Sequence, residues 1–270
     1  MDFSNLFEFF ISPIYFSANC IWNNVIRICL TSGIKGPAEY DAAWKYTVET
    51  LNPFFVAIAA VMMNMFFYIG FCRQVGNLKE NMTLETCVNI FIKMIICNLA
   101  VNLSLRFSKW LFGISKITSE QLIFNSDFGF FNEIEINDAV AFQSIMGIIY
   151  LIVALCCSAT VFLTMFTRII HLYLLAATGP LAMSCIPGGH GVQNSAGAWI
   201  REMIAKSCTI ITISLGVCLI SKVTDSMIIF ADKGVYLRGV GKGIENMFKM
   251  ALIAAFVKSA DSFTKRTFGL

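Results

Sequence analysis

From Ala139 to Thr167 the chain carries no charged side chain. An apolar stretch of that length leaves few folds open. A lipid core offers no water to unpaired backbone groups, so only helices and closed barrels cross it. The stretch is continuously apolar rather than alternating, which predicts a helix. Beyond Arg168 the apolar pattern resumes, and no Gly, Pro or turn cluster near Arg168 separates the two pieces. Read as one helix over 139–178, it is about 60 Å long at about 1.5 Å per residue, twice a lipid core of about 30 Å. Such a helix protrudes or bends, and Arg168 then sits at or beyond an interface. The competing reading is two spans with a hairpin near Arg168, although nothing there makes a tight turn.

Composition agrees with a membrane class. Hydrophobic residues make up 57% of the 270 residues and charged ones 14%, where soluble domains run to about a quarter charged. Spans are expected at 51–72, 86–105, 139–178, 199–221 and, more weakly, 245–260. The fold class is therefore all-α, a polytopic helical membrane protein with about five transmembrane helices, six if 139–178 breaks. Lys and Arg divide almost evenly between the two sides, so the positive-inside rule leaves the orientation open. The cluster Lys258, Lys265 and Arg266 points to a cytoplasmic C-terminus.

Residues 1–50 read as N-terminal amphipathic helices. Phe3, Leu6, Phe7 and Phe10 form one apolar face, and Pro13 is expected to end that helix. Ala18, Ile21, Trp22, Val25 and Cys29 continue the pattern on a second helix, stopped near Gly33. These helices either lie along the membrane surface or pack against the chain's own spans. Asp2 and Glu8 stand where a signal peptide would carry lysines.

The second span carries Lys93 with Asn89 one turn before it. Asn98 and Asn102 lie four apart on roughly the opposite side. Polar groups on two sides argue against lipid on either, and an intramembrane charge usually faces a bundle interior or a wet cavity. The alternative for Lys93 is snorkelling to an interface. Residues 106–138 read as a loop, amphipathic at first in "RFSKWLFGISK", then acidic through Glu120, Asp127, Glu133, Glu135 and Asp138. Gly179-Pro180 is expected to stop the long helix, followed by a small-residue loop from Gly188 to Gly197. Residues 222–242 read as a mixed-charge loop and 261–270 as a basic tail.

Catalytic and metal chemistry find no support. The ten cysteines fall mostly inside apolar runs with no CxxC pair, and read as small apolar residues. His171 and His190 lack carboxylate or cysteine partners at ligand spacing. "GVYLRGVGKG" fails as a phosphate loop, because Tyr236 stands at the first glycine and Gly243 at the required Ser/Thr. No acid lies centrally in a span, and no inverted repeat is visible. No enzyme, cofactor or metal is expected.

Three stretches, in this order, carry a family resemblance. "AAWKYTVETLNPFF" is a Trp-bearing helix leading through Pro53 into the first span. "TLETCVNIFIKMIICNLAVNLSLRF" is a span with Lys93 and then asparagines. "RIIHLYLLAATGPLAMSCIPGGHGVQNSAGAWIREMIAKS" holds an Arg, a Tyr, a Pro among small residues, a Gly-rich turn and a polar helix start with a second Arg. There Arg168, Tyr173, Pro180, Gly188, Gly191, Gln193 and Arg201 occupy the matching places; the two histidines do not carry over. From about Trp44 onward the chain resembles the TrbL-type polytopic membrane component of type IV secretion systems, in the compact form found on conjugative elements. The resemblance implies a multi-pass protein of the bacterial cytoplasmic membrane that assembles as a homo-oligomeric ring. It implies partners in the other membrane subunits of the machine, its separate ATPases and the lipid bilayer. The implied cargo is a single DNA strand with its relaxase, or an effector protein, and the subunit itself is non-catalytic. The competing functions are a small-solute transporter or ion channel of another family, or a phage or toxin-system membrane component.

Overall fold

The computed structural model of the chain describes residues 3–77, 84–124, 140–188, 191–192, 194–226 and 235–269. Every regular element among them is helical: α1 (Phe3–Ile34), α2 (Asp41–Tyr46), α3 (Asn52–Asn77), α4 (Leu84–Phe124), α5 (Val140–Met183), α6 (Asn194–Ser226) and α7 (Val235–Thr267). Short 3₁₀ turns stand at Pro37–Glu39 and Ile186–Gly188, and a π turn at Thr47–Leu51 joins α2 to α3. Pro53 accounts for the π turn. It has no N–H for the Glu49 carbonyl and its ring crowds that carbonyl, and a wider turn relieves both.

Among the described residues four stretches are long and apolar enough to cross a membrane: Asp41–Cys72, Phe91–Ile123, Met146–Met183 and Asn194–Thr224. The fifth expected span, 245–260, is helical as part of α7 but is not among them. Charges recur along it, with Glu245 and Lys249 paired one turn apart at 3.5 Å.

Several expected boundaries move. Helix α1 runs through Pro13 without a break. Helix α4 does not stop at 105 but continues for 41 residues to Phe124, so the first part of the expected 106–138 loop is helix. Ser104, Ser108 and Ser115 are buried at helical spacing. Their hydroxyls donate back to the carbonyls of Val101, Ser104 and Phe112, which satisfies them without breaking the helix. Helix α5 is one 44-residue helix that passes through Gly179-Pro180 and ends at Met183. The Pro180 carbonyl accepts from the Ser184 N–H at 3.0 Å, so the ladder resumes directly after the proline. The 222–242 loop narrows, since α6 reaches Ser226 and α7 begins at Val235. The "VYLRGVGKG" motif is therefore the start of a helix, and most of the basic tail is its last turns. Asp127, Glu133, Glu135, Asp138, His190 and Gln193 lie outside the described residues.

The chain divides into two compact units. The first comprises Met1–Ile34, Ile117–Thr167 and Thr209–Phe263. Its core sets Ala18, Trp22, Ile26 and Cys29 of α1 among Tyr150, Val161, Ile210, Met250 and Val257. The apolar face of α1 from Ala18 to Leu30 is thus used inside this unit, against the chain's own helices, while the side chains of Phe3, Leu6, Phe7 and Phe10 lie outside those described. The Tyr150 hydroxyl donates to Asn19 Oδ1 across it. Burial pushes the Cys29 thiol up to about 11, so it stays protonated near neutral pH.

The second unit comprises Lys35–Lys116, Arg168–Cys208 and Thr264–Leu270. Its core gathers Ala59, Cys97, Val101, Phe112, Leu172, Ala176 and Trp199. Phe112 meets Trp44 edge-on with ring centroids 6.3 Å apart, and beside them Lys116 pairs with Glu39 at 2.5 Å. At the chain end Lys265 pairs with Glu202 at 2.7 Å.

Candidate functional site

Most of the residues marked by sequence fall in the second unit, around the turn from α5 into α6. The proline creates the need that the rest of this region answers. Pro180 has no N–H, so the Ala176 carbonyl loses its usual helical donor, and the turn needs outside support. That support comes from α6, where Trp199 Nε1 donates to the neighbouring Leu175 carbonyl at 3.0 Å. One turn earlier, the Tyr173 hydroxyl donates to the Pro37 carbonyl at 2.7 Å and ties α5 to the 3₁₀ turn before α2. At the helix end, Cys97 Sγ of α4 lies 3.3 Å from the Met183 carbonyl as its donor. Three separate elements therefore hold the last turns of α5.

Removing one of these bonds should cost stability without unfolding. Tyr173→Phe, which keeps the ring, is expected to lower stability by about 1 kcal/mol, the usual net value of a single hydrogen bond, and Trp199→Phe by more, because part of the buried indole is lost with its N–H. Denaturant titration in mild detergent checks it, and a change of less than a few tenths in both would remove these bonds from the account.

The turn itself is packed against α3. Pro187 and Gly188 are buried. Gly70 of α3 comes so close that a Cβ there would sit 2.2 Å from the Pro187 carbonyl oxygen. Gly191 has φ +97°, a conformation that side-chain-bearing residues rarely adopt. Burial also raises the Cys185 thiol, so this cysteine is a packed group rather than a nucleophile.

Among the described residues of this unit two cations are buried. Arg168 is 7% exposed, and its Nη2 makes a long hydrogen bond of 3.4 Å to the Ser207 carbonyl. Lys206, next to that carbonyl in sequence, is also 7% exposed. The Arg168 side chain of α5 is thus enclosed within this unit and reaches α6. The sequence marked Arg201 in this helix but not Lys206. The signal was available: Met203, Lys206, Ser207 and Ile210 share one helical face at spacings of three and four.

The remaining marked residues separate. Lys93 is half-buried, on the same side of α4 as the buried Cys97 and Val101, while Asn89 is exposed. Asn98 and Asn102 are exposed and bonded to each other. Arg201 is exposed on α6, His171 is exposed on α5, and Gln193 lies outside the described residues. The structure thus brings together Tyr173, Pro180 and Gly188 with Trp199 and Gly70 as a braced turn. It does not join them to the asparagines of α4.

Chemically, this turn has carbonyl acceptors, neutral donors and protonated thiols. Among the described residues no group of three or more His, Cys, Asp or Glu is placed to hold a metal ion. What the region can do is hold a helix reversal rigid. No protein-family model matches the chain, and no curated protein or solved structure matches it either.

Proposed function

We propose that the chain is a membrane-embedded, non-catalytic subunit of a type IV secretion channel, assembling as a homo-oligomeric ring in the bacterial cytoplasmic membrane. The sequence resemblance from Trp44 onward supplies the family. The observation that carries the membrane assembly is the uneven cover of the four candidate spans. Within its most apolar window, Asn194–Thr224 is 56% buried, but Asp41–Cys72 is 6% and Phe91–Ile123 is 22% buried. Helix α6 is an inner helix, whereas α3 and α4 turn long apolar faces outward. Phe54, Val61 and Tyr68 on α3 and Ile95 and Leu99 on α4 are all exposed. Apolar surface on that scale needs lipid or another protein against it.

In this reading α3 and α4 supply the lipid and subunit faces. The braced α5–α6 turn is the fixed point that keeps the inner helices in register while cargo passes. Energy comes from separate ATPases, and the cargo is single-stranded DNA with its relaxase or an effector protein.

The assembly is tested first. Detergent-extracted protein should be an oligomer by light scattering, and a monomer at all concentrations would count against the ring. The transfer role is tested in a conjugating donor strain whose copy of this gene is deleted. Transfer should fall by orders of magnitude and return with the gene supplied in trans. Undiminished transfer would sink the assignment, as would a purified monomer that moves small solutes in liposomes.

A further inference from the structure

A cavity of about 410 Å³ lies against the first turns of the first candidate span, lined by Asp41, Trp44, Lys45, Val48 and Glu49. A cavity with a few convergent charges is the usual form of a small-ligand site. Asp41, Lys45 and Glu49 are exposed and stand four residues apart, so acid, base and acid follow one another along the helix. No ion pair joins any of the three to another described residue. Trp44 is half-buried and packs edge-on with Phe112. The depth of this cavity follows from helix length. Asp41–Cys72 has 32 residues, about 48 Å at about 1.5 Å per residue, against a hydrocarbon core of about 30 Å. No charged residue occurs from Thr50 to Cys72, so the excess length falls at the charged end. With the core beginning near Leu51, Glu49 and Lys45 stand about 3 and 9 Å beyond it, at the depth of the lipid headgroups. Trp44 and Tyr46 are side chains favoured at that level.

Charge and hydrogen bonding select the occupant. Two carboxylates against one ammonium leave the lining net negative, so an anionic headgroup meets repulsion. A purely cationic ligand would leave Lys45 facing a like charge. A zwitterion satisfies both signs: Lys45 donates to a phosphate and a carboxylate accepts from an ammonium. A primary ammonium fits better than a quaternary one, which has no N–H to donate to a carboxylate. The order also matches. Moving outward, such a headgroup runs from glycerol to phosphate to ammonium, and the helix runs from Val48 to Lys45 to Asp41. Inward of the cavity the same stretch leaves Phe54 and Val61 exposed, apolar surface that the acyl chains of a lipid would cover. We propose that this cavity binds the phosphoethanolamine headgroup of a membrane lipid, with Val48 and Trp44 against the glycerol end, Lys45 on the phosphate and Asp41 on the ammonium. Glu49, on the inner side, disfavours anionic headgroups. The inference rests on the membrane reading above but not on the transfer role.

The test is native mass spectrometry of the full chain in detergent, with phosphatidylethanolamine, phosphatidylcholine or phosphatidylglycerol of the same acyl chains added. The chain should retain phosphatidylethanolamine about tenfold better than the other two, the effect of one charge-assisted hydrogen bond. Asp41→Asn should lower its retention to the level of phosphatidylcholine. Lys45→Met should weaken both, and Glu49→Gln should raise phosphatidylglycerol. Equal retention of the three lipids by the native chain, or a preference for phosphatidylglycerol, would overturn the site. So would an unchanged preference in Asp41→Asn, because the lipid would then sit elsewhere. A second measurement covers a variant that does not fold. A phosphatidylethanolamine with a photoreactive headgroup should crosslink the native chain within residues 41–49, and crosslinks confined to other segments would refute the proposal. Binding of soluble phosphoethanolamine with none of the lipid would refute the lipid as occupant. If the site fails while the chain still fractionates with membranes, only this site is lost. If the chain does not fractionate with membranes, the membrane reading itself fails.

Discussion

Gly70→Ala is expected to destabilise the protein by about 1–3 kcal/mol, although helix propensity alone predicts a gain of about 1 kcal/mol. The two effects have opposite signs, so the direction of the change identifies the one that wins. The added methyl would stand 2.2 Å from the Pro187 carbonyl oxygen. The clashing atom is backbone, so no rotamer change relieves it, and either α3 or the Ile186–Gly188 turn must move. Gly70→Leu should be worse, and we expect it to abolish the native fold of the second unit. Gly113 supplies the control, because a Cβ there meets nothing within 4 Å. Gly113→Ala should therefore gain a few tenths to about 1 kcal/mol from propensity alone. Denaturation midpoints of the two alanine variants in the same detergent make the comparison. A gain at both positions would show that α3 and the turn are not in backbone contact.

Much of this architecture could be read from the chain because apolar runs report directly on helices. The absence of any turn signal near Arg168 favoured one helix, and α5 passes that point unbroken. Punctuation was harder to read. Pro13 and Gly179-Pro180 carry the usual signs of a helix end, yet both lie inside helices. A proline removes one hydrogen bond, and that loss is tolerable when neighbouring elements stabilise the same turn, as Trp199 and Tyr173 do for α5. Those contacts are 24 and 136 residues apart in sequence, and no local pattern announces them. On α4, Ser104, Ser108 and Ser115 lie four and seven residues apart on a narrow buried seam, bonded to their own helix.

The candidate site was less legible than the fold. The asparagines and Arg168 could be marked as polar groups in apolar runs, but their sides could not be assigned. Sequence treated Asn89 with Lys93, and Asn98 with Asn102, as two equivalent polar faces. In the structure only Lys93 turns toward the buried Cys97 and Val101, and the other three are exposed. A 3.6-residue period shows that two faces differ. It does not show which one meets the same chain, because that depends on contacts far away in sequence.

That assignment gives Lys93 its own expected result. Lys93→Glu should abolish cargo transfer while leaving membrane insertion close to normal. Insertion depends mainly on total apolarity, and a carboxylate and an ammonium carry similar penalties near a helix centre, about 2.5–3.5 kcal/mol each. The swap is therefore nearly neutral for insertion but reverses the charge at a half-buried place on the inner side of α4. The glutamate stem is also shorter, so the carboxylate has less reach toward an aqueous edge than the lysine it replaces. Lys93→Met separates the two contributions by keeping the stem and removing the charge. If Lys93 matters through its charge, both variants lose transfer; if the position only excludes a negative charge, the methionine transfers normally. Membrane fractionation and transfer frequency in the complemented deletion strain read both quantities. Normal transfer by Lys93→Glu would place the side chain at an interface, where its sign has no consequence, and would remove it from the working face of the subunit.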